Sequence, residues 1–229
     1  MKKLLIASVM TTVFVTSAFA EMDSDDPFRT TFMIDNLEYQ FNNEKAISWN
    51  AFAYAGYDLN KIYIYSDGKK AKEATSAESE NQLVYSRAVM PYWDLQIGVG
   101  YDKNDKSNQT WGVIALQGLA PYFFETRVAA LIGKDGNAGV RLESEYQVLI
   151  TQKLILLPSL STALYTKDAE EMGIGKGLSN LTVGARLRYE IVREFAPYIG
   201  IQWSKNFGST NNFHPLNETY ATVGLRLWF

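Results

Sequence analysis

Apolar and polar residues alternate with a period of two along most of this chain. Between residues 181 and 189, one parity carries Leu181, Val183, Ala185, Leu187 and Tyr189, and the other carries arginines and small residues. Successive side chains of a β-strand point to opposite faces, so this pattern predicts strands with one apolar and one polar face. The same alternation continues to the last residue, an aromatic.

Twelve segments carry this alternation, and most are close to the ~9–11 residues that a tilted strand needs to cross a bilayer. The predicted strands are 30–41, 45–57, 61–66, 80–90, 93–102, 109–119, 121–133, 138–150, 153–166, 178–190, 195–205 and 218–229. Tight connections at one end (58–60, 91–92, 121, 151–152 and 192–195) alternate with more polar ones at the other (67–79, 103–108, 134–137, 167–177 and 206–217). The first of the outer turns, 42–44, is short.

Short turns on one side and longer loops on the other are typical of outer-membrane barrels, whose termini lie on the periplasmic side. The sequence therefore predicts an all-β fold, a transmembrane antiparallel β-barrel of about twelve strands. In such a barrel the last strand closes the sheet and leaves no edge. The terminal Phe229 resembles a recognition signal for barrel-assembly machinery, so we expect that machinery and outer-membrane lipid as partners.

The start of the chain predicts export. Residues 1–20 combine Lys2 and Lys3, an apolar stretch and a final Ala-Phe-Ala, which together indicate a secretory signal peptide. An acidic tail at 21–29 and the barrel at 30–229 follow. Removal of the peptide leaves 20 basic residues against 25 acidic ones, a net charge of −5 that argues against nucleic acid as a partner.

Composition narrows the class further. No later segment reaches the roughly 18 apolar residues that a membrane-spanning helix requires, and the chain has no cysteine for disulfides or thiolate metal sites. A soluble β-rich periplasmic protein and an outer-membrane barrel both fit these numbers. Trp93 and Tyr101 flank the apolar stripe of one strand, as interfacial aromatics of a bilayer-spanning strand do.

Charged residues recur on the polar faces, which would line the barrel interior. They are Glu125, Arg127, Arg141, Glu143, Glu145, Arg186, Arg188 and Glu190. A lumen of about twelve strands is narrow enough for side chains to fill, and unpaired buried charges are costly. We expect an ion-pair network that stiffens the barrel; a polar pathway or a weak cation site built from Glu143 and Glu145 is the alternative.

Several stretches, quoted in chain order, resemble one known family. They are "WDLQIGVGYD", "LQGLAPYFFETR", "RLESEYQVLITQKLILLPSL", "GIGKGLSNLTVGARLRYEIVREFAPYIGIQW" and the final "GLRLWF". Over residues 90–229 this chain resembles the copper resistance protein B (CopB/PcoB) family of outer-membrane proteins. The resemblance implies a role in copper resistance at the outer membrane, beside a periplasmic multicopper oxidase. Family members commonly carry a Met- and His-rich arm, and the corresponding segment here is the short "EMDSDDPF".

Candidate copper ligands are few. Thioethers suit Cu(I) and imidazole suits Cu(II), which selects Met22, Met33, Met172 and His214, with a disordered tail (Met22) and a solvated loop histidine as alternatives. These residues are scattered, so we expect about one weakly held copper ion per chain. The function predicted is to bind or move copper at the outer membrane. A narrow porin or a structural barrel without a metal role is the alternative, and no catalytic constellation supports an enzyme.

Overall fold

A computed structural model describes residues 26–134 and 136–229, so the predicted signal peptide and Met22 lie outside the described residues. The strands are β1 (Arg29–Gln40), β2 (Ile47–Gly56), β3 (Asn60–Lys70), β4 (Glu78–Met90), β5 (Trp93–Lys103), β6 (Asn108–Ala120), β7 (Phe124–Gly133), β8 (Ala138–Glu145), β9 (Val148–Leu149), β10 (Leu154–Tyr165), β11 (Gly177–Tyr189), β12 (Phe195–Asn206) and β13 (Asn217–Trp228). The short β9 continues β8, and both pair with β10, so together they occupy one position and the barrel wall has twelve strand positions.

The sheet is antiparallel and closed. Strands that follow one another in the chain pair, except that β8 and β9 both pair with β10, and β13 pairs with β1. At the seam, Phe229 and Phe32 exchange two backbone hydrogen bonds of 2.8 and 3.0 Å, and their rings stack with centroids 6.3 Å apart. Closure satisfies the backbone groups that an open sheet edge would leave unpaired. The predicted barrel of about twelve strands is confirmed.

Connections differ between the two ends of the barrel. The end that holds both termini, predicted above to be periplasmic and called the periplasmic end from here on, carries 57–59, 91–92, 121–123, 150–153 and 190–194. The other end, called the outer end, carries 41–46, 71–77, 104–107, 134–137, 166–176 and 207–216. In the described residues, helical structure consists of α1 (Gly208–Phe213) and two 3-10 turns, Pro121–Phe123 and Glu170–Met172. Within this part of the chain, no helix is long and apolar enough to cross a membrane.

The barrel is apolar outside and polar inside. Outward-facing residues such as Ile62, Val99 and Ile199 are 55%, 55% and 61% exposed, whereas Gln96 and Asp102 inside the barrel are 0% and 3% exposed. Such a continuous apolar surface suits the hydrocarbon core of a bilayer rather than water. The predicted faces are confirmed, with Val183 and Val223 exposed on the outside.

The third strand is longer than its sequence indicates. The polar run after Ser66 predicts a loop at 67–79, but β3 continues to Lys70 and pairs with β4 as far as Glu78. Gly68 permits this pairing because the Trp49 indole lies directly against it. A methyl group at position 68 would come within 2.3 Å of the indole ring. The correction places Asp67 and Lys69 inside the barrel.

Candidate functional site

A cavity of about 540 Å³ opens at the outer end of the barrel; we call it the outer vestibule. Its wall carries six carboxylates (Glu44, Asp67, Glu78, Glu80, Asp102, Glu218) and four cations (Lys69, Lys103, Arg141, Lys205). A cleft lined by an excess of one charge focuses its field and raises the local concentration of counter-ions. The outer vestibule therefore favours cations.

Arg141 lies in the wall of the outer vestibule as an internal counter-ion. Its Nη2 is 2.5 Å from Asp102 Oδ2, and its Nη1 is 2.7 Å from Glu80 Oε2. Its Nε donates to the Tyr165 hydroxyl at 3.0 Å, and the Trp111 indole donates to the same Asp102 oxygen at 2.7 Å. The side chains of Arg141 and Asp102 are 9% and 4% exposed, so this pair is shielded from water and fixed in place.

Carboxylates lie side by side on three neighbouring strands of this wall. Asp67 on β3 is opposite Glu80 on β4, and Glu80 is opposite Asp102 on β5. Like charges directly opposite one another destabilise a sheet. Arg141 compensates two of the three, while Asp67 accepts a hydrogen bond from the Asn50 amide and makes no ion pair with the described residues. The row therefore favours a further cation.

A second cluster surrounds Glu38 on the opposite side of the lumen. Arg186 Nε lies 3.2 Å from Glu38 Oε2, which also accepts a hydrogen bond from the Tyr198 hydroxyl at 3.2 Å. The other carboxylate oxygen accepts from Gln202 at 3.0 Å and from Gln40 at 3.1 Å. The Glu38 side chain is 2% exposed, so its charge is compensated by Arg186 and by hydrogen bonds.

Arg127 forms a third cluster, in which no carboxylate of the described residues lies within ion-pair distance of the guanidinium. Its guanidinium donates to Gln82 at 2.5 Å and to Gln96 at 3.2 Å, and lies 4.5 Å from the centroid of the Tyr65 ring. Glu143 is opposite Arg127 in the strand register, yet the two make no ion pair within 4.0 Å. Amide oxygens and an aromatic face hold this cation instead.

The eight charged residues predicted for the lumen are thus divided among separate groups. Glu125 accepts a hydrogen bond from Gln147 at 2.8 Å, and Arg188 pairs with Glu190 at 3.4 Å. Among the described residues, Glu143 and Glu145 make no ion pair within 4.0 Å. The carboxylates that pair with Arg141 and Arg186 are Glu38, Glu80 and Asp102, which the sequence analysis does not select.

Met33 lies at the periplasmic end of the lumen. It lines a cavity of about 280 Å³ together with Glu190, Arg193, Arg226 and Trp228. Its sulfur is 3.4 Å from Nη2 of Arg226, whose Nε pairs with Asp35 at 3.0 Å. A guanidinium beside the thioether repels a metal cation, so this geometry does not favour Met33 as a ligand.

Met172 and His214, the other two described candidate ligands, both line the outer vestibule. They lie 42 positions apart in the chain, and the fold brings their loops together: Gly173 lies directly against the His214 imidazole. Within residues 26–134 and 136–229, no three His, Asp or Glu side chains are grouped as a metal site. The outer vestibule therefore offers one imidazole and one thioether among dispersed carboxylates.

The closed sheet, the apolar outer surface and the polar lumen define an outer-membrane β-barrel. Solved barrels share the fold. The NanC porin aligns with a TM-score of 0.56 at 11% identity over 87% of this chain and 99% of its own. The KdgM porin aligns with a TM-score of 0.53 at 11% identity over 88% of this chain and 99% of its own.

Sequence comparison places the barrel more narrowly. The family model described as "Copper resistance protein B precursor (CopB)" matches residues 28–229. The Copper resistance protein B of Escherichia coli is 38% identical over 211 residues, which are 90% of this chain and 71% of that protein. A Copper resistance protein B homolog of Pseudomonas syringae pv. tomato is 35% identical over the same shares. The chain belongs to the copper resistance protein B family and is located in the outer membrane.

Proposed function

We propose that this barrel binds copper ions in its outer vestibule and moves them across the outer membrane as part of copper resistance. The observation that carries the proposal is the composition of the vestibule wall, where six carboxylates face four cations around Met172 and His214. Carboxylates raise the local concentration of cations, and thioether and imidazole donors suit copper. Membership in the copper resistance protein B family supports copper as the ion.

Buried polar side chains lie in the lumen between the outer vestibule and the periplasmic cavity. The outer vestibule and the periplasmic cavity share no lining residue. On β1, Glu38 lies between Met33 of one cavity and Gln40 of the other, and it pairs with Arg186 across the seam. We expect a crossing ion to pass beside this buried pair, so transfer should be slower than diffusion through a wide, water-filled pore.

Asp67→Asn is the variant that tests the proposal. The change removes one carboxyl group from the vestibule, keeps the size of the side chain and leaves an oxygen for the Asn50 amide. Asp67 makes no ion pair with the described residues, so the change does not strand a buried arginine. Glu73→Gln is the matched control, because Glu73 is an exposed acid of the connection 71–77 that does not line the vestibule.

The experiment compares copper tolerance in a deletion strain that carries each variant. We expect the deletion to increase copper sensitivity, the wild type and Glu73→Gln to restore tolerance, and Asp67→Asn to restore it only in part. Unchanged tolerance in the deletion strain would instead support the plain porin or structural barrel. Equal restoration by the wild type, Asp67→Asn and Glu73→Gln would contradict the proposed role of the Asp67 carboxyl group in the vestibule.

A further inference from the structure

Two outer connections, residues 166–176 and 207–216, meet beside the outer vestibule. The Gly175 N–H donates to Thr210 Oγ1 at 2.8 Å, and the hydroxyls of Ser179 and Thr210 lie 2.9 Å apart; both contacts are buried. The Thr210 carbonyl also accepts the His214 N–H at 2.8 Å. This hydrogen-bonded unit joins the two connections and fixes the backbone from which the His214 side chain extends.

Gly173 allows the first connection to approach His214. It follows the 3-10 turn Glu170–Met172 with φ +68°. A methyl group at this position would come within 2.9 Å of Cδ2 and 3.2 Å of Nε2 of His214. Glycine satisfies both the left-handed backbone and the close approach of the ring. The edge of the imidazole that carries Nε2 therefore lies against the residue that directly follows Met172.

Both donor groups are available to a ligand. Among the described residues, the ring nitrogens of His214 and the sulfur of Met172 make no hydrogen bond or ion pair. The Met172 side chain packs partly against an apolar cluster that includes Tyr165 and Ile174, whereas His214 is exposed. The cluster restrains the thioether, and the vestibule leaves the imidazole accessible.

From this geometry we infer that the Met172 thioether and the His214 imidazole together bind one Cu(I) ion between the two outer connections. A thioether is a soft ligand that selects Cu(I), and imidazole is a common copper ligand. The vestibule carboxylates are hard oxygen ligands, which do not favour soft ions. They therefore attract cations without selecting Cu(I). The inference rests on the proposed function and adds to it a step that selects copper at the entrance.

Met33 provides a matched control for Met172. Both are methionines that line a cavity of the lumen, but the sulfur of Met33 lies 3.4 Å from the Arg226 guanidinium. That positive charge disfavours a bound cation. Met33→Leu and Met172→Leu therefore remove the same donor atom from two different electrostatic environments, and only the second should affect binding at the proposed site.

The experiment titrates the purified barrel with Ag(I), a redox-inert substitute for Cu(I), in competition with a soft-metal chelator. The chain contains one histidine, so an untagged protein gives a single set of imidazole NMR signals that reports on His214. We expect one equivalent of Ag(I) to shift these signals. Loss of residues that only orient a metal ligand costs about 10–100-fold in affinity, so Met172→Leu and His214→Asn should each weaken binding at least about tenfold.

Met33→Leu should bind Ag(I) like the wild type. Heat-modifiable mobility on gels checks that each variant is folded. Wild-type affinity in folded Met172→Leu, or imidazole signals that do not respond to Ag(I), would overturn the inferred site. If that result occurs while Asp67→Asn still reduces copper tolerance, the inferred site fails and the proposed function stands.

Discussion

Arg141 lies 2.5 Å from Asp102 inside a barrel wall that otherwise carries an excess of carboxylates. The guanidinium occupies the position where a mobile cation would be attracted, between Asp102 and Glu80 on neighbouring strands. Because the arginine is covalently attached, it stabilises the two carboxylates without needing a bound ion. Asp67, the third acid of the row, makes no ion pair with the described residues, and the proposed function assigns it to an entering cation.

The Arg141–Asp102 pair should contribute strongly to stability. Removing one partner of a buried ion pair costs about 3–5 kcal/mol, so Arg141→Gln should lower the free energy of unfolding in urea by that amount. Arg193→Gln, at an exposed site in the periplasmic connection 190–194, should change it by less than about 0.5 kcal/mol.

The double variant Arg141→Gln/Asp102→Asn tests whether the two groups interact directly. We expect it to recover a large part of the loss, because no buried charge then remains unpaired at Asp102. Losses that simply add in the double variant would show that the pair does not account for the effect.

Glu38 should be more important for folding than Glu143. Glu38→Ala leaves Arg186 without its carboxylate in a buried site, and we expect a loss of about 3–5 kcal/mol. Glu143 is exposed to the lumen and makes no ion pair with the described residues, so Glu143→Ala should cost less than about 0.5 kcal/mol. Urea unfolding of both refolded barrels measures the difference, and equal losses would contradict the assignment.

Phe229 should be needed for assembly. Its backbone pairs with Phe32 at the seam and its ring stacks on the same residue, so Phe229→Asp puts a charge at the closing contact. We expect a clear reduction of folded protein in outer-membrane fractions, measured by heat-modifiable mobility. Phe123→Asp is the control, because Phe123 is an exposed aromatic of the periplasmic turn 121–123. Similar levels of the two variants would argue against a special role for Phe229.

Cysteine labelling tests which faces contact lipid. The chain has no native cysteine, so Val183→Cys, Val223→Cys and Lys72→Cys each introduce a single thiol. Val183 and Val223 face outward from the barrel wall, whereas Lys72 is exposed in the outer connection 71–77. In intact cells a bulky, membrane-impermeant maleimide should modify only Lys72→Cys. Efficient labelling of Val183→Cys would place that strand face in water.

The fold could be predicted because strand alternation is a local property. Each strand carries its own apolar and polar faces, and the turns between them are marked in the sequence. The error at β3 has a local cause as well. The run Ser66 to Lys70 has the composition of a loop, and the Trp49 indole that covers Gly68 belongs to another strand.

The site could be predicted only in part because partner choice is a property of the closed barrel. The sequence places Arg186 on an inward face but does not show that Glu38, 148 residues away, lies next to it across the seam. The same holds for His214 and Gly173, the residue after Met172, which come into contact only when the connections 166–176 and 207–216 pack together. Register, closure and loop packing decide these contacts, and none of them is encoded in a single strand.

Copper transfer into proteoliposomes tests the central claim most directly. Vesicles that contain the purified barrel and an encapsulated copper-sensitive fluorophore are exposed to external copper, and the rate of quenching is compared for the wild type, Asp67→Asn and Glu73→Gln. We predict faster quenching with the wild type than in protein-free vesicles, a several-fold lower rate for Asp67→Asn and a wild-type rate for Glu73→Gln. A wild-type rate equal to that of protein-free vesicles, or identical rates for all three proteins, would contradict the account.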